Sequence, residues 1–132
     1  MNRRHGQSLV ELAICLPVLV VLTLGGAAVA RVADARSGLD AATQAALAAA
    51  ARSRDEASAR SAGAQEFALA IAGYPVTGSA LTLTAPGFDR GTTWVGRSTA
   101  WVDISFVPIP GLPRAIRVEA SGAATIETWR SR

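Results

Sequence analysis

Few side chains in this sequence could do chemistry, and the most informative of them is Glu11. It stands at the edge of the apolar run LAICLPVLVVLTLGGAAVA, Leu12 to Ala30, which carries no charge. A carboxylate at the margin of such a run is costly and points to a function. Cys15 is the only cysteine and lies inside the run, so no intrachain disulfide can form. It reads as a small apolar helix residue rather than a reactive thiol. His5, the only histidine, lies near the N-terminus, which leaves neither a Cys/His metal site nor a Cys–His couple. Asp89, Asp103, Glu119 and Glu127 are spread without a nucleophilic or basic partner pattern. No GxSxG elbow, glycine-rich phosphate loop or HExxH occurs. No enzyme, cofactor, metal or small-molecule substrate is expected. An enzyme would need a polar pocket where sheet meets helix.

The elements that must position Glu11 start with a membrane span. Residues 7–30 are long enough to cross a bilayer as a helix. Arg3 and Arg4 precede the span and favour a cytoplasmic N-terminus, with residues 31–132 outside. Pro17 lacks an amide hydrogen and can kink the helix at the bond to Ala13; simple tolerance is the other reading. Gly25 and Gly26 add pliability or a close-packing surface.

Beyond the span, alanine dominates, and helix is expected over residues 31–62. Val29, Val32, Leu39 and Ala46 form a narrow apolar stripe. Arg36 with Asp40, and Glu56 with Arg60, have the spacing of pairs on a solvated face. A helix from Gln7 to Arg60 would be about 80 Å long. Gly63 is expected to weaken it, with a short second helix over 65–72 ended by Gly73 and Pro75. Alternating patterns then predict strands near 80–84, 99–107 and 115–128. Residues 85–96 read as turn, and Gly122 as a bulge or bend. In the second strand Val102, Ile104 and Phe106 should share one face. A sheet this small needs a cover, which the alanine-rich helix supplies. The fold class is α+β: a long N-terminal helix, then about three antiparallel strands packed on its distal part.

The chain has 132 residues, formal net charge +3, and thirteen basic residues that are all arginine. They are scattered among acids without interleaved aromatics, so nucleic acid is a poor partner. A binding module would show an exposed apolar patch, with Trp94, Trp101 and Trp129 as candidates; the plainer expectation is that two of them cap the core.

Three functional readings fit the N-terminal segment. A secretory signal peptide would be cut after Ala28-Val29-Ala30. A signal anchor would let Glu11 snorkel to the interface. Either gives a membrane-anchored or secreted envelope protein with an unrelated binding role. Third, basic residues, then Gly6, Gln7, Ser8, two apolar residues, Glu11 and an apolar run with Pro17 resemble the TadE-like minor pilins or pseudopilins of the tight-adherence (Tad/Flp) pilus system.

The resemblance implies residues 1–6 as a leader, removed between Gly6 and Gln7 by a prepilin peptidase on the cytoplasmic side. Glu11 then becomes the fifth residue, the position of that family's glutamate. It implies a structural role in pilus assembly, serving adhesion, surface attachment or secretion. The partners would be the cytoplasmic membrane, the peptidase, other Tad pilins and the assembly platform. Leu12 departs from the family, which often has an aromatic residue there. In a bundle of such helices the new α-amine of Gln7, charged at neutral pH, and Glu11 would both be buried, and pairing offsets much of that cost. An amine of one subunit against the glutamate of the next is a head-to-tail contact, which propagates rather than closes.

Overall fold

Two helices and three strands follow one another along the chain: α1 (Arg3–Arg52), α2 (Glu56–Ile71), β1 (Thr77–Thr84), β2 (Thr93–Asp103) and β3 (Ala115–Thr125). The computed structural model describes residues 3–89 and 91–126, with side chains from Val10 onward. Glu127, Trp129 and the end of the expected third strand lie outside the described residues. The strands form an antiparallel sheet in the order β1-β2-β3. Both helices cover one face of it. The expected α+β architecture is therefore correct.

The helix ends where the sequence reading did not put it. α1 stops at Arg52, about 75 Å from its start at 1.5 Å per residue. The chain reverses through 53–55, so there is no single rod to Arg60. Asp55 causes the stop. Its backbone is extended (φ −146°, ψ 168°), and its carboxylate accepts from the Ser58 amide at 2.9 Å. The Asp55 amide donates in return to the Ser58 hydroxyl, completing a capping box. The amides of Ser58 and Ala57 and the Ser58 hydroxyl hold the Asp55 carboxyl below its ordinary pKa; the Ser58 amide contributes most.

α2 packs back along α1, and Gly63, expected as a weak point, is the contact. A Cβ there would lie 2.6 Å from Leu83 Cδ1 and 3.2 Å from the Ala46 carbonyl oxygen. Further along, the Tyr74 ring lies on Gly38, where a Cβ would collide with it. Small residues thus bring the helices close: Ala42, Ala46 and Ala50 on α1, Ala59 and Gly63 on α2, all buried.

The sheet meets α1 in the same way. β2 alternates strictly, burying Trp94, Gly96, Ser98, Ala100 and Val102. Residues 93–96, expected as turn, are regular strand. Gly122 is no bulge: it pairs in register with Gly96. A Cβ on Gly122 would sit 2.6 Å from Gln44 Nε2, and one on Gly96 3.1 Å from Leu47 Cγ. Both glycines are there for close approach. The irregularity in the sheet lies in β1, between Thr77 and Ala80.

Two clusters make the core. One gathers Leu39, Ala42, Phe67, Ile71, Val102 and Val118 with their neighbours; the other gathers Leu47, Ala50, Ala59, Leu83 and Trp94. Between helix and sheet, Thr43 and Ser98 form a buried hydrogen bond of 2.6 Å. The Thr43 hydroxyl donates to the Leu39 carbonyl at 2.7 Å, so Ser98 is the donor to Thr43.

Several details of the expected patterning change. Val29 leaves the apolar stripe and is exposed, while Ala35 joins it. Phe106 leaves the face of Val102 and Ile104, because the strand ends at Asp103 and the chain turns. Trp94 is fully buried and Trp101 is half exposed on the opposite face of the sheet. Arg36 and Asp40 do not close to an ion pair, whereas Glu56 and Arg60 do, at 2.8 Å.

Candidate functional site

Among the described side chains, the N-terminal part of α1 is left uncovered by its own chain. From Val10 to Leu22 every residue is exposed, the bulky Leu12, Ile14, Leu16, Val18 and Leu19 among them. The helix contains a stretch of mean hydropathy 2.5 with none of it buried by the rest of the chain. A surface this apolar needs lipid or other apolar helices around it. Its length and composition are consistent with single-pass membrane anchoring.

Glu11 projects from this surface and is exposed within the chain. Gln7 lies four residues earlier in α1. Gly6 and Gln7 are helical backbone of α1. The side chains of Arg3, Arg4 and Gln7 lie outside those described. α1 continues through Pro17, which removes one helix bond without ending the helix. Cys15 is exposed on the same apolar surface. No Cβ at Gly25 or Gly26 would meet another group, which leaves that stretch open for close approach by another helix.

The helix–sheet domain has a polar recess at the seam of helix and sheet. It has a volume of about 540 Å³ and is lined by Arg36, Asp40, Arg97, Glu119, Ala120 and Ser121. Two arginines balance two acids, and no nucleophile–base couple is present. Among the described residues no group of three His, Cys, Asp or Glu side chains could hold a metal.

Two features escaped the sequence reading. Arg60 is more than half of a surface pair. Its Nε and Nη2 donate to Glu56, its Nη1 donates to the Leu83 carbonyl at 2.8 Å, and its guanidinium lies 5.6 Å from the centre of the Trp94 ring. It ties α2 to β1 and β2, and no sequence spacing signals that. The second is the segment 104–114. It brings Phe106 to 5.7 Å from the Arg31 guanidinium, at the first charged residue after the apolar run. Asp103 at its base accepts from the Ser105 amide at 2.8 Å. That amide, the Ser105 hydroxyl and nearby Arg31 hold the Asp103 carboxyl below its ordinary pKa.

Residues 6–52 match the family model described as TadE-like protein. The match begins at Gly6 and ends on the last residue of α1. This segment is TadE-like. It supports a Tad pilus-associated protein. α2 and the sheet lie beyond the matched residues. No curated protein and no solved structure matches the chain at a significant level.

Proposed function

We propose that the chain is a minor pilin or pseudopilin that enters or primes a Tad/Flp-type pilus at the cytoplasmic membrane. The observation that carries this is the uncovered helix from Val10 to Leu22 with a lone carboxylate, Glu11, at its start, inside the TadE-like segment. A helix used only as an anchor has no need of that carboxylate.

In this reading a prepilin peptidase cuts between Gly6 and Gln7, with Arg3 and Arg4 holding the leader in the cytoplasm. The exposed helix stays in the lipid until assembly. In the pilus it packs among other pilin helices, and Glu11 pairs with the freed α-amine of Gln7 on a neighbouring subunit. Residues 31–132 lie outside the cytoplasm and give the subunit its own surface.

The test is mass spectrometry of the N-terminus of the protein from its native membrane. A chain that starts at Gln7 is the expected result. A start at Arg31 would mean a secreted protein, and a start at Met1 an uncleaved anchor; either overturns the proposal.

A further inference from the structure

The loop between β2 and β3 is apolar where a solvent loop should be polar. Residues 104–114 read ISFVPIPGLPR. Phe106, Ile109 and Leu112 are 37%, 40% and 42% exposed. Three nearby apolar side chains held open to water at a turn are costly unless something covers them.

The position of the loop says what covers it. Arg31 is the first charged residue after the span, so it marks where α1 leaves the hydrocarbon. Phe106 lies against the Arg31 guanidinium. One turn lower, Ala28 of the apolar run itself packs on the core of the outer domain. The domain therefore stands directly on the outer end of the span, with this loop at the level of the lipid headgroups.

The backbone of the loop is suited to that layer. Pro108, Pro110 and Pro113 have no amide hydrogen to satisfy. The amide of Ile104 donates to the Arg114 carbonyl, Val107 to Ile104, Ile109 to Val107, and Leu112 to Ile109. A loop that meets much of its hydrogen-bonding need internally loses less when water is thinned around it. Arg31 lies against Phe106 and Arg114 ends the loop, two cations that suit a layer of anionic phosphates over acyl chains.

The geometry points to residues 104–114 as a membrane-contact loop, with Phe106, Ile109 and Leu112 resting among the headgroups of the outer leaflet beside the span. The loop gives the subunit a second hold on the bilayer and fixes the tilt of the outer domain. It goes beyond the assembly role and rests only on α1 spanning the membrane.

The experiment uses the full chain, with Cys15→Ala to free the background, in vesicles of phosphatidylethanolamine and phosphatidylglycerol. Single cysteines at Ile109 and Leu112 carry spin labels; Val18 in the span and Val95 on the outer face of the sheet serve as references. Accessibility is measured to oxygen, which concentrates in lipid, and to a water-soluble nickel chelate. Labels at 109 and 112 are expected to show oxygen-to-nickel ratios several-fold above Val95, at a depth shallower than Val18. A ratio equal to that at Val95, with Val18 lipid-like, overturns the loop assignment alone. An aqueous signature at Val18 overturns the span and the loop together. Low access to both reagents, with spin–spin broadening that vanishes on dilution in lipid, assigns the loop to contact between copies and also overturns the proposal.

Discussion

Removing the Thr43 hydroxyl should cost more than removing its partner's, and the structure gives the size of the difference. Thr43 and Ser98 are 1% and 0% exposed and bonded at 2.6 Å. Thr43→Val keeps the side-chain volume and leaves the Leu39 carbonyl its ordinary helix partner, the Thr43 amide. The Ser98 hydroxyl, however, is left buried with no acceptor. An orphaned buried polar group costs about 1–3 kcal/mol. Ser98→Ala orphans nothing, because the Thr43 hydroxyl still donates to Leu39. It loses one net hydrogen bond, about 0.5–1.5 kcal/mol. In the double variant no polar group remains to be orphaned, so its loss should fall well below the sum of the singles. Independent sites add to within about 0.3–0.5 kcal/mol, so a larger shortfall is readable. The assay is urea unfolding of the full chain in detergent, followed by the fluorescence of tryptophan, with Trp94 fully buried between helix and sheet. Equal losses for the two single variants, or simple additivity in the double, would refute the donor assignment.

Other outcomes test the remaining joints. Glu11→Gln should leave insertion and leader removal intact but abolish pilus yield and co-purification with other pilins at matched membrane levels, because breaking a buried pair costs about 3–5 kcal/mol; equal assembly would show that Glu11 is not an assembly contact. Gly63→Val should destabilise the domain by about 1–3 kcal/mol through overpacking against Ala46 and Leu83, measured by the same unfolding assay. Arg60→Lys should lose most of what Arg60→Ala loses, since an ammonium cannot hold Glu56 and the Leu83 carbonyl while lying over Trp94; full retention by lysine would mean that charge alone matters. The Asp55 carboxyl is held below its ordinary 3.8, so its stabilisation is complete above that value and is lost as pH falls through the lower folded value. Asp55→Asn keeps the cap acceptor without the charge, and its acid unfolding profile should be flatter than the native one below about pH 4.

The sequence by itself determined what depends on runs and periods. Nineteen uncharged residues from Leu12 to Ala30 make a helix apolar enough to cross a bilayer whatever follows them. The setting of Glu11 after Gly6 and Gln7 marked the TadE-like segment. Alternation through Val118 and Ala120 placed a strand, because a half-buried sheet has period two. Alanine hid the reversal at 53–55: composition favours helix on both sides, and only the Asp55–Ser58 exchange, a short capping signal, stops it.

Tertiary structure decided the glycines and the long side chains. Gly63, Gly96 and Gly122 look like breakers in a row of letters. Yet each is regular helix or strand, because a neighbouring element fills the space of the missing Cβ. Arg60 and Glu56 have the spacing of a surface pair, and only the fold brings the Leu83 carbonyl and the Trp94 ring under the same guanidinium. The apolar letters of 104–114 read as a core-facing strand end and a turn. The turn after Asp103 instead sets Phe106 beside Arg31, more than seventy residues away in sequence, and leaves Ile109 and Leu112 partly exposed. Local patterns record what a segment does with its own backbone, and contacts over such separations exist only once the helices and the sheet have closed on each other.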